Sequence, residues 1–600
     1  MTMQREEDLK MKAEAERKRK LAMEIEEDFL RRREERRALE SAWALNVEFL
    51  KGNQYVDVSP LGGVEEEEKR FYWQNKRCFN HVAPTIDARM AKLTRLRPKL
   101  KVRAFSDEDG DVKSAKISTG VLDYVRDRVG LNGVVSDATL WSETCGTAFY
   151  KIVWDENGGR KVGVDENGND VYEGEVSVAA VSPFEVFPDS LQAEGLKSVK
   201  SLIHAQEVDA GYVYESFGVT VEDNGEKIVL IERYTAPTKD FPDGKLEIVA
   251  SGLLLYEGPL PYLNGERGTR VFPFVKQDCL RVPGNFYGIS VVDRLVPVQR
   301  AYNAVRNRKH ELLNRLSMGV VTVEDGSLDT DELAEEGISP GKILVYRQGG
   351  KAPEMLECGE IPKEFQKEEE WLEKEFTLIS GVSDLSQNSM PSSVTSASGL
   401  RLLLNEDNAR ISVTTENLCE AMKEVGRHIL RLYKAFAGNA RLMTLSGENK
   451  KTEVFYFNAE ELSSSDILFD TEEPVTAEER QETIMRLLEA GLFSDADGRL
   501  TEENKHRILE AFGYGSYENV RDISSLHIGK ASEENRALLK GDANVDFYDD
   551  HDLHILEHTR FLLSDEFKRK KDDKIKQRFC LHMAEHETMK NKKEKAVENA

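Results

Sequence analysis

Several residue sets in this 600-residue chain are spaced as if for chemistry, and each falls short on its own terms. The string Gly337-Ile338-Ser339-Pro340-Gly341-Lys342-Ile343 echoes a loop that cradles nucleotide phosphates. It is one residue short of G-x-x-x-x-G-K-[ST], ends in isoleucine where a hydroxyl must bind magnesium, and contains proline. Asp495, Asp497 and Gly498 echo a calcium loop, but the third ligand is missing and the glycine comes two positions early, so a turn is expected. His551, His554 and His558 share a helical spacing that could in principle ligate a metal; charged neighbours, no nearby Cys and no H-E-x-x-H favour an ordinary polar helix face. No G-x-S-x-G elbow or Cys–His pair is identifiable. The expectation is no catalytic residue, no cofactor, no metal and no enzyme, so function must come from shape and assembly.

What remains is a row of cations. Arg294, Arg308 and Arg315 repeat at heptad spacing beside an apolar seam of Val291, Leu295, Val298, Tyr302, Val305, Leu312 and Leu316, with Lys309 as its one exception. They predict a helix over 286–318, roughly 45 Å long at ~1.5 Å per residue. A second helix, within 360–382, carries Phe365, Leu372, Phe376 and Ile379 on one face, with Pro362 in its first turn and Gly381 at its end. Between them, residues 319–359 hold two strand-like runs, VVTVEDG and KILVYRQGG, around an acidic turn, DTDELAEEG. A lone hairpin is marginal in water, so neighbouring copies are needed to complete it. Residues 383–398, rich in Ser, Asn and Pro, read as a loop carrying Gln387, Asn388, Ser389, Ser392 and Ser393, and a long helix follows from 399.

The flanks give the remaining divisions. Residues 1–70 are a charged helical segment and linker, a solvated helix or frayed tail whose anchoring face develops only from Phe29 onward. Region 71–285 opens with aromatics beside basic residues, a pattern for nucleic-acid stacking or, alternatively, for a core helix built on Ile86, Met90 and Leu93. It continues as helices over 112–129 and 134–144 and then a β-meander in which AFYKIVWD pairs with EVSVAAVSPFEVF; runs at 227–234, 245–249 and 271–276 are expected to extend that meander. Residues 399–550 are the long helix with returning strands and helices, and 551–600 a charged helical end. The fold class is α+β, mainly helical.

The chain has 109 acidic and 83 basic residues, a formal charge of −26, which argues against a protein that grips nucleic acid over its whole surface. The acid surplus either repels phosphate from a wall that DNA slides past or simply keeps the chain soluble. Six scattered cysteines without a C-x-x-C pair fit a reducing cytoplasm. No run approaches the ~18 apolar residues of a membrane span, and the N-terminus has no apolar signal core.

The segment 272–315 (FPFVKQDCLRVPGNFYGISVVDRLVPVQRAYNAVRNRKHELLNR), ISGVSDLSQN at 379–388, the SASG-x-R segment around Ser398 and Arg401, and SPFEVFPDS at 182–190 resemble portal proteins of tailed double-stranded-DNA phages, the short-tailed type in particular. The likeness spans most of 71–564 and lies in order of elements more than in single residues. It implies a homo-oligomeric ring, usually of twelve, at the capsid vertex of the virion, assembled in the host cytoplasm, through which genomic DNA is packaged and ejected. In that picture 71–285 is the wing, the two helices the stem, 319–359 the clip, 383–398 the tunnel loop and 551–600 a short crown. The terminase packaging motor and head-completion or tail adaptor proteins would dock at the clip, where Asp331, Glu332, Glu335, Glu336, Tyr346 and Arg347 are candidates; capsid and scaffolding proteins are further partners, and no membrane is. Arg294, Arg308 and Arg315 would meet phosphate or bridge adjacent stems. The alternatives are a helical or coiled-coil scaffold without a DNA channel, which leaves the meander unexplained, and a nuclease or ATPase, which lacks its residues.

Overall fold

A computed structural model describes residues 2–59, 63–67, 76–95, 100–102, 109–164, 170–221, 227–261, 270–318, 320–326, 345–356, 362–382, 397–437, 441–446, 452–457, 469–471, 484–489, 523–541, 543–563 and 573–598, with single residues 168, 343, 462 and 567. The protein is mixed α and β, 56% helical. Its helices in chain order are α1 (Thr2–Glu35), α2 (Arg37–Lys51), α3 (Val82–Arg95), α4 (Asp109–Val129), α5 (Leu131–Cys145), α6 (Ala210–Phe217), α7 (Val291–Met318), α8 (Glu364–Ser380), α9 (Ala397–Phe436), α10 (Ile523–Lys540), α11 (His551–Leu563) and α12 (Asp573–Glu598). The chain divides into two units, Met1–Lys99 with Val125–Ala437, and Leu100–Tyr124 with Gly438–Ala600.

Among the described residues, the two largest sheets of the first unit are antiparallel, beside three two-stranded pairs. In one, strand Thr147–Asp155 lies between Glu175–Val181 and Phe274–Asp278, with Phe149 opposite Val181 on one side and Lys276 on the other. Its core gathers Phe149, Phe274, Phe286, Tyr287 and Trp43. The runs expected to extend this meander do not all do so. Ile228–Thr235 and Lys245–Ala250 belong to a separate five-stranded sheet with Val186–Pro188, Ser201–Val208 and Leu253–Gly258. The cause lies at Pro183, which has no N–H to continue the ladder; the turn Pro183–Glu185 redirects the chain so that the next strand starts a new sheet. Strand Ser201–Val208 escapes a hydropathy reading because it buries His204, which contacts Glu232 at 3.1 Å, while Lys151 Nζ donates to Glu232 at 2.6 Å. Burial alone would raise the Glu232 carboxyl, but the hydrogen bond with His204 and the Lys151 ammonium hold it down to about 2.

The N-terminal segment is anchored earlier than Phe29 and on its own chain. Ala22, Ile25 and Phe29 of α1 pack with Phe187, Ile203, Ile231 and Val249 of the five-stranded sheet. Arg36, at the break between α1 and α2, is buried and donates to the carbonyls of Pro183, Phe184 and Val186 and to the Tyr287 hydroxyl. One guanidinium thereby satisfies the backbone where the chain leaves one sheet for the other.

In the second unit, strands pair at Arg441–Ser446 with Thr452–Phe457 and at Leu100–Val102 with Phe469–Thr471, and α10, α11 and α12 pack as a three-helix bundle. The His551, His554 and His558 face is not an ordinary solvated one. All three side chains are buried, at 4%, 0% and 0% exposure, while Leu556 and Leu563 on the same helix are each 67% exposed.

Candidate functional site

The helix pair and the insert between them hold most of the residues singled out above. Helix α7 starts at Val291, five residues later than expected, because Phe286 and Tyr287 are committed to the sheet core and Ser290 makes a capping box: its Oγ accepts from Asp293 N–H at 2.9 Å and Asp293 Oδ2 accepts from Ser290 N–H at 2.9 Å. Twenty-eight residues give it about 42 Å.

Three faces of α7 have distinct tasks. The apolar face, Val291, Leu295, Val298 and Tyr302, is buried against Leu372 and Phe376 of α8. Farther along that seam, Lys309 is explained by Glu369 of α8, a buried carboxylate that accepts from Lys309 Nζ at 2.7 Å and Arg306 Nη1 at 3.3 Å. The second face is an amide ladder absent from the sequence reading. Gln299, Asn303 and Asn307 are all buried and hold the extended segment 77–81: their side-chain oxygens accept from the N–H of His81, Phe79 and Arg77 at 3.0, 2.9 and 3.1 Å, and Gln299 and Asn307 donate back to the carbonyls of Phe79 and Arg77. The signal was available as three amides at steps of four. The third face is solvent: Arg294, Pro297, Ala304 and Arg308 are exposed, and neither arginine has an ion-pair partner among the described residues. Arg315 lies on the last turns of α7, and its side chain is outside the described residues.

Helix α8 ends as the sequence predicts, on Gly381 in the left-handed conformation with its N–H donated to Thr377. His81 is wedged between Tyr302 and Phe376, at ring distances of 4.5 and 5.5 Å. Burial and the Arg306 charge push its imidazole below the ordinary value, against an opposing pull from Glu373. On the opposite face of α8, Trp371 and Leu378 are 65% and 69% exposed, two turns apart.

The insert departs from expectation in its pairing. Val320–Thr322 pairs with Glu354–Leu356, not with the KILVYRQGG run; Ile343 and Val345 are 85% and 80% exposed, and 345–350 is irregular, ending in a turn. With no strand beside them among the described residues, these residues have nothing to form a ladder with. Tyr346 and Arg347 are exposed in this stretch. Asp331, Glu332, Glu335 and Glu336 lie outside the described residues, as do Gln387, Asn388, Ser389, Ser392 and Ser393 of the expected loop.

Helices α8 and α9, which lie on either side of residues 383–396, are tied to one buried ion pair, the first at its end and the second near its middle. Arg89 on α3 meets Glu143 on α5 through Nε at 2.6 Å and Nη2 at 3.3 Å. The same guanidinium donates to the carbonyl of Ser380, the last residue of α8, and to Thr414 Oγ1 of α9 at 3.3 Å. Helix α9 then packs on the three-stranded sheet, burying Leu418, Met422, Val425, Ile429 and Tyr433. His428 is buried with them, and burial plus the nearby Arg431 charge push it down to about 4. Between pH 6.5 and about 4 the unfolded chain takes up a proton that the folded one refuses, so stability falls as pH drops through that window. Replacing His428 with leucine should flatten this part of a plot of Tm against pH, with a change of about 3 kcal/mol at most across it.

Among the described residues, no helix is long and apolar enough to cross a membrane. No curated protein matches the chain. Residues 242–459, which contain α7, the paired strands, α8 and α9, match the family model described as phage SU10 portal protein, and over this stretch the match supports a phage portal protein.

Proposed function

We propose that copies of this chain assemble into the ring-shaped portal of a tailed double-stranded-DNA phage, set at the capsid vertex, through which the genome enters during packaging and leaves at infection. The observation that carries this reading is the portal-family match falling on the helix–hairpin–helix segment. Two features of that segment agree with it. One face of α7 presents Arg294 and Arg308 to solvent, and the outer face of α8 presents Trp371 and Leu378. Exposed apolar side chains on a rigid helix suit a contact with the neighbouring copy. Cations on a chain with a formal charge of −26 give phosphate a few local contacts without a continuous adhesive surface. The irregular stretch with exposed Ile343, Val345, Tyr346 and Arg347 suits completion by an adjacent copy, and there the packaging motor and tail adaptors would dock. Residues 383–398 would face the DNA, and the protein works by shape and assembly, not by catalysis.

Charge reversal tests the arginine face. Arg294→Glu with Arg308→Glu should leave ring assembly intact, measured by mass photometry as particles many times the 68.0 kDa of one chain, and should reduce the DNA packaged per capsid in complementation assays. Loss of rings would instead assign both arginines to salt bridges between copies.

A further inference from the structure

The bundle of α10, α11 and α12 buries a polar cluster beside Ala531, Leu538 and Phe579. Leu556, Leu563 and Leu581 are each 67% exposed, while Glu534, His558, His582 and His586 are buried at 7%, 0%, 3% and 0%. Burying polar groups without partners costs free energy. Among the described residues, Glu534 Oε1, His558 Nε2 and His582 Nδ1 are buried with no hydrogen-bond partner, and the nearest cation to Glu534 Oε1 is Lys530 Nζ at 3.8 Å.

The four side chains converge from all three helices. Glu534 Oε2 lies 3.5 Å from His558 Nε2, 3.5 Å from His582 Nε2 and 3.9 Å from His586 Nε2, and the last two nitrogens are 3.2 Å apart. A tetrahedral zinc ion with bonds of about 2.0–2.1 Å holds its ligand atoms about 3.4 Å from one another. We propose that the bundle closes around one structural transition-metal cation, zinc by geometry, bound by Glu534 Oε2 and by the Nε2 atoms of His558, His582 and His586.

The surrounding contacts orient these ligands. His558 Nδ1 lies 2.7 Å from Asn535 Oδ1, so Nδ1 carries the proton and Nε2 keeps its lone pair for a metal. His586 Nδ1 is likewise engaged, 3.0 Å from His551 Nδ1, and His554 Nδ1 contacts Glu534 Oε2 at 2.9 Å. Three imidazoles and a carboxylate are the donor set of zinc, and copper or nickel compete for it. Four protein ligands leave no open position, so the site is structural and not catalytic. His582 and His586 sit four apart on α12, and this second spacing, taken with His558, is the sequence signal for the cluster.

The test uses the full-length, untagged chain and does not depend on the channel reading. Elemental analysis after chelator-free purification should find one zinc per chain. After metal removal, a Co2+ titration should saturate at one equivalent with the intense visible bands of tetrahedral cobalt, and Zn2+ should bleach them. His582→Ala with His586→Ala should abolish the bands. Asn535→Leu should keep them and weaken binding about 10–100-fold, and His310→Ala, on α7, should match the wild type. If the double variant does not fold, the stoichiometry and cobalt spectrum of the wild type decide alone. A wild-type chain without stoichiometric metal or tetrahedral bands overturns the proposal, and so does a folded double variant that binds Co2+ as the wild type does.

Discussion

Arg89→Met is expected to cost the first unit about 3–5 kcal/mol of unfolding free energy, because it leaves Glu143, which is 0% exposed, as a buried charge without its cation. Adding Glu143→Leu should recover most of that loss, since a buried ion pair replaced by apolar groups of similar volume is often neutral or better. Denaturant titration of the two variants reads both numbers. The effect should extend beyond stability. Arg89 also holds the carbonyl of Ser380 and the hydroxyl of Thr414, the residues that fix α8 and α9 on either side of 383–396. Amide exchange at the end of α8 and in the middle of α9 should therefore speed up in Arg89→Met, and recovery of stability in the double variant should not restore those two hydrogen bonds. If neither segment exchanges faster, the guanidinium is a core feature only and does not anchor the segment between these helices.

The second large effect concerns assembly. Trp371→Asp with Leu378→Asp should convert rings to single chains in mass photometry while leaving the circular dichroism spectrum unchanged. Both side chains point away from the face of α8 that buries Leu372 and Phe376, so the fold of one chain does not need them. Two large apolar groups at 65% and 69% exposure are what a subunit contact would cover, and a charge placed there must be desolvated for two chains to meet. Rings that survive both substitutions would show that this face is solvated in the assembly.

The legible parts of this chain were those in which one local rule dominates. The end of α8 followed from its apolar spacing and from Gly381, whose left-handed conformation ends the helix, whereas its start at Glu364 leaves Pro362 just outside the first turn where it was expected. The apolar seam of α7 read correctly through Tyr302, and its exception at Lys309 could be resolved only with Glu369, sixty positions away. The strands of the second sheet were harder. Ser201–Val208 hides a buried His204 whose partners come from two other strands, and no periodicity reports such a pairing. Ile25 sits between Glu24 and Glu26, and Ala22 follows the basic run that ends at Lys20, so their docking onto the sheet is a tertiary fact. The histidines of α11 depart from the expected polar helix face for a physical reason: a polar stripe is normally solvated, and here Glu534, Asn535, His582 and His586 on other helices make an inward orientation tolerable.

Averaged electron-microscope images of the purified full-length chain test the central claim most directly. The account predicts closed rings with an axial opening wide enough for a B-form duplex. A chain that stays single at every concentration, or assembles into particles with no such opening, would contradict it.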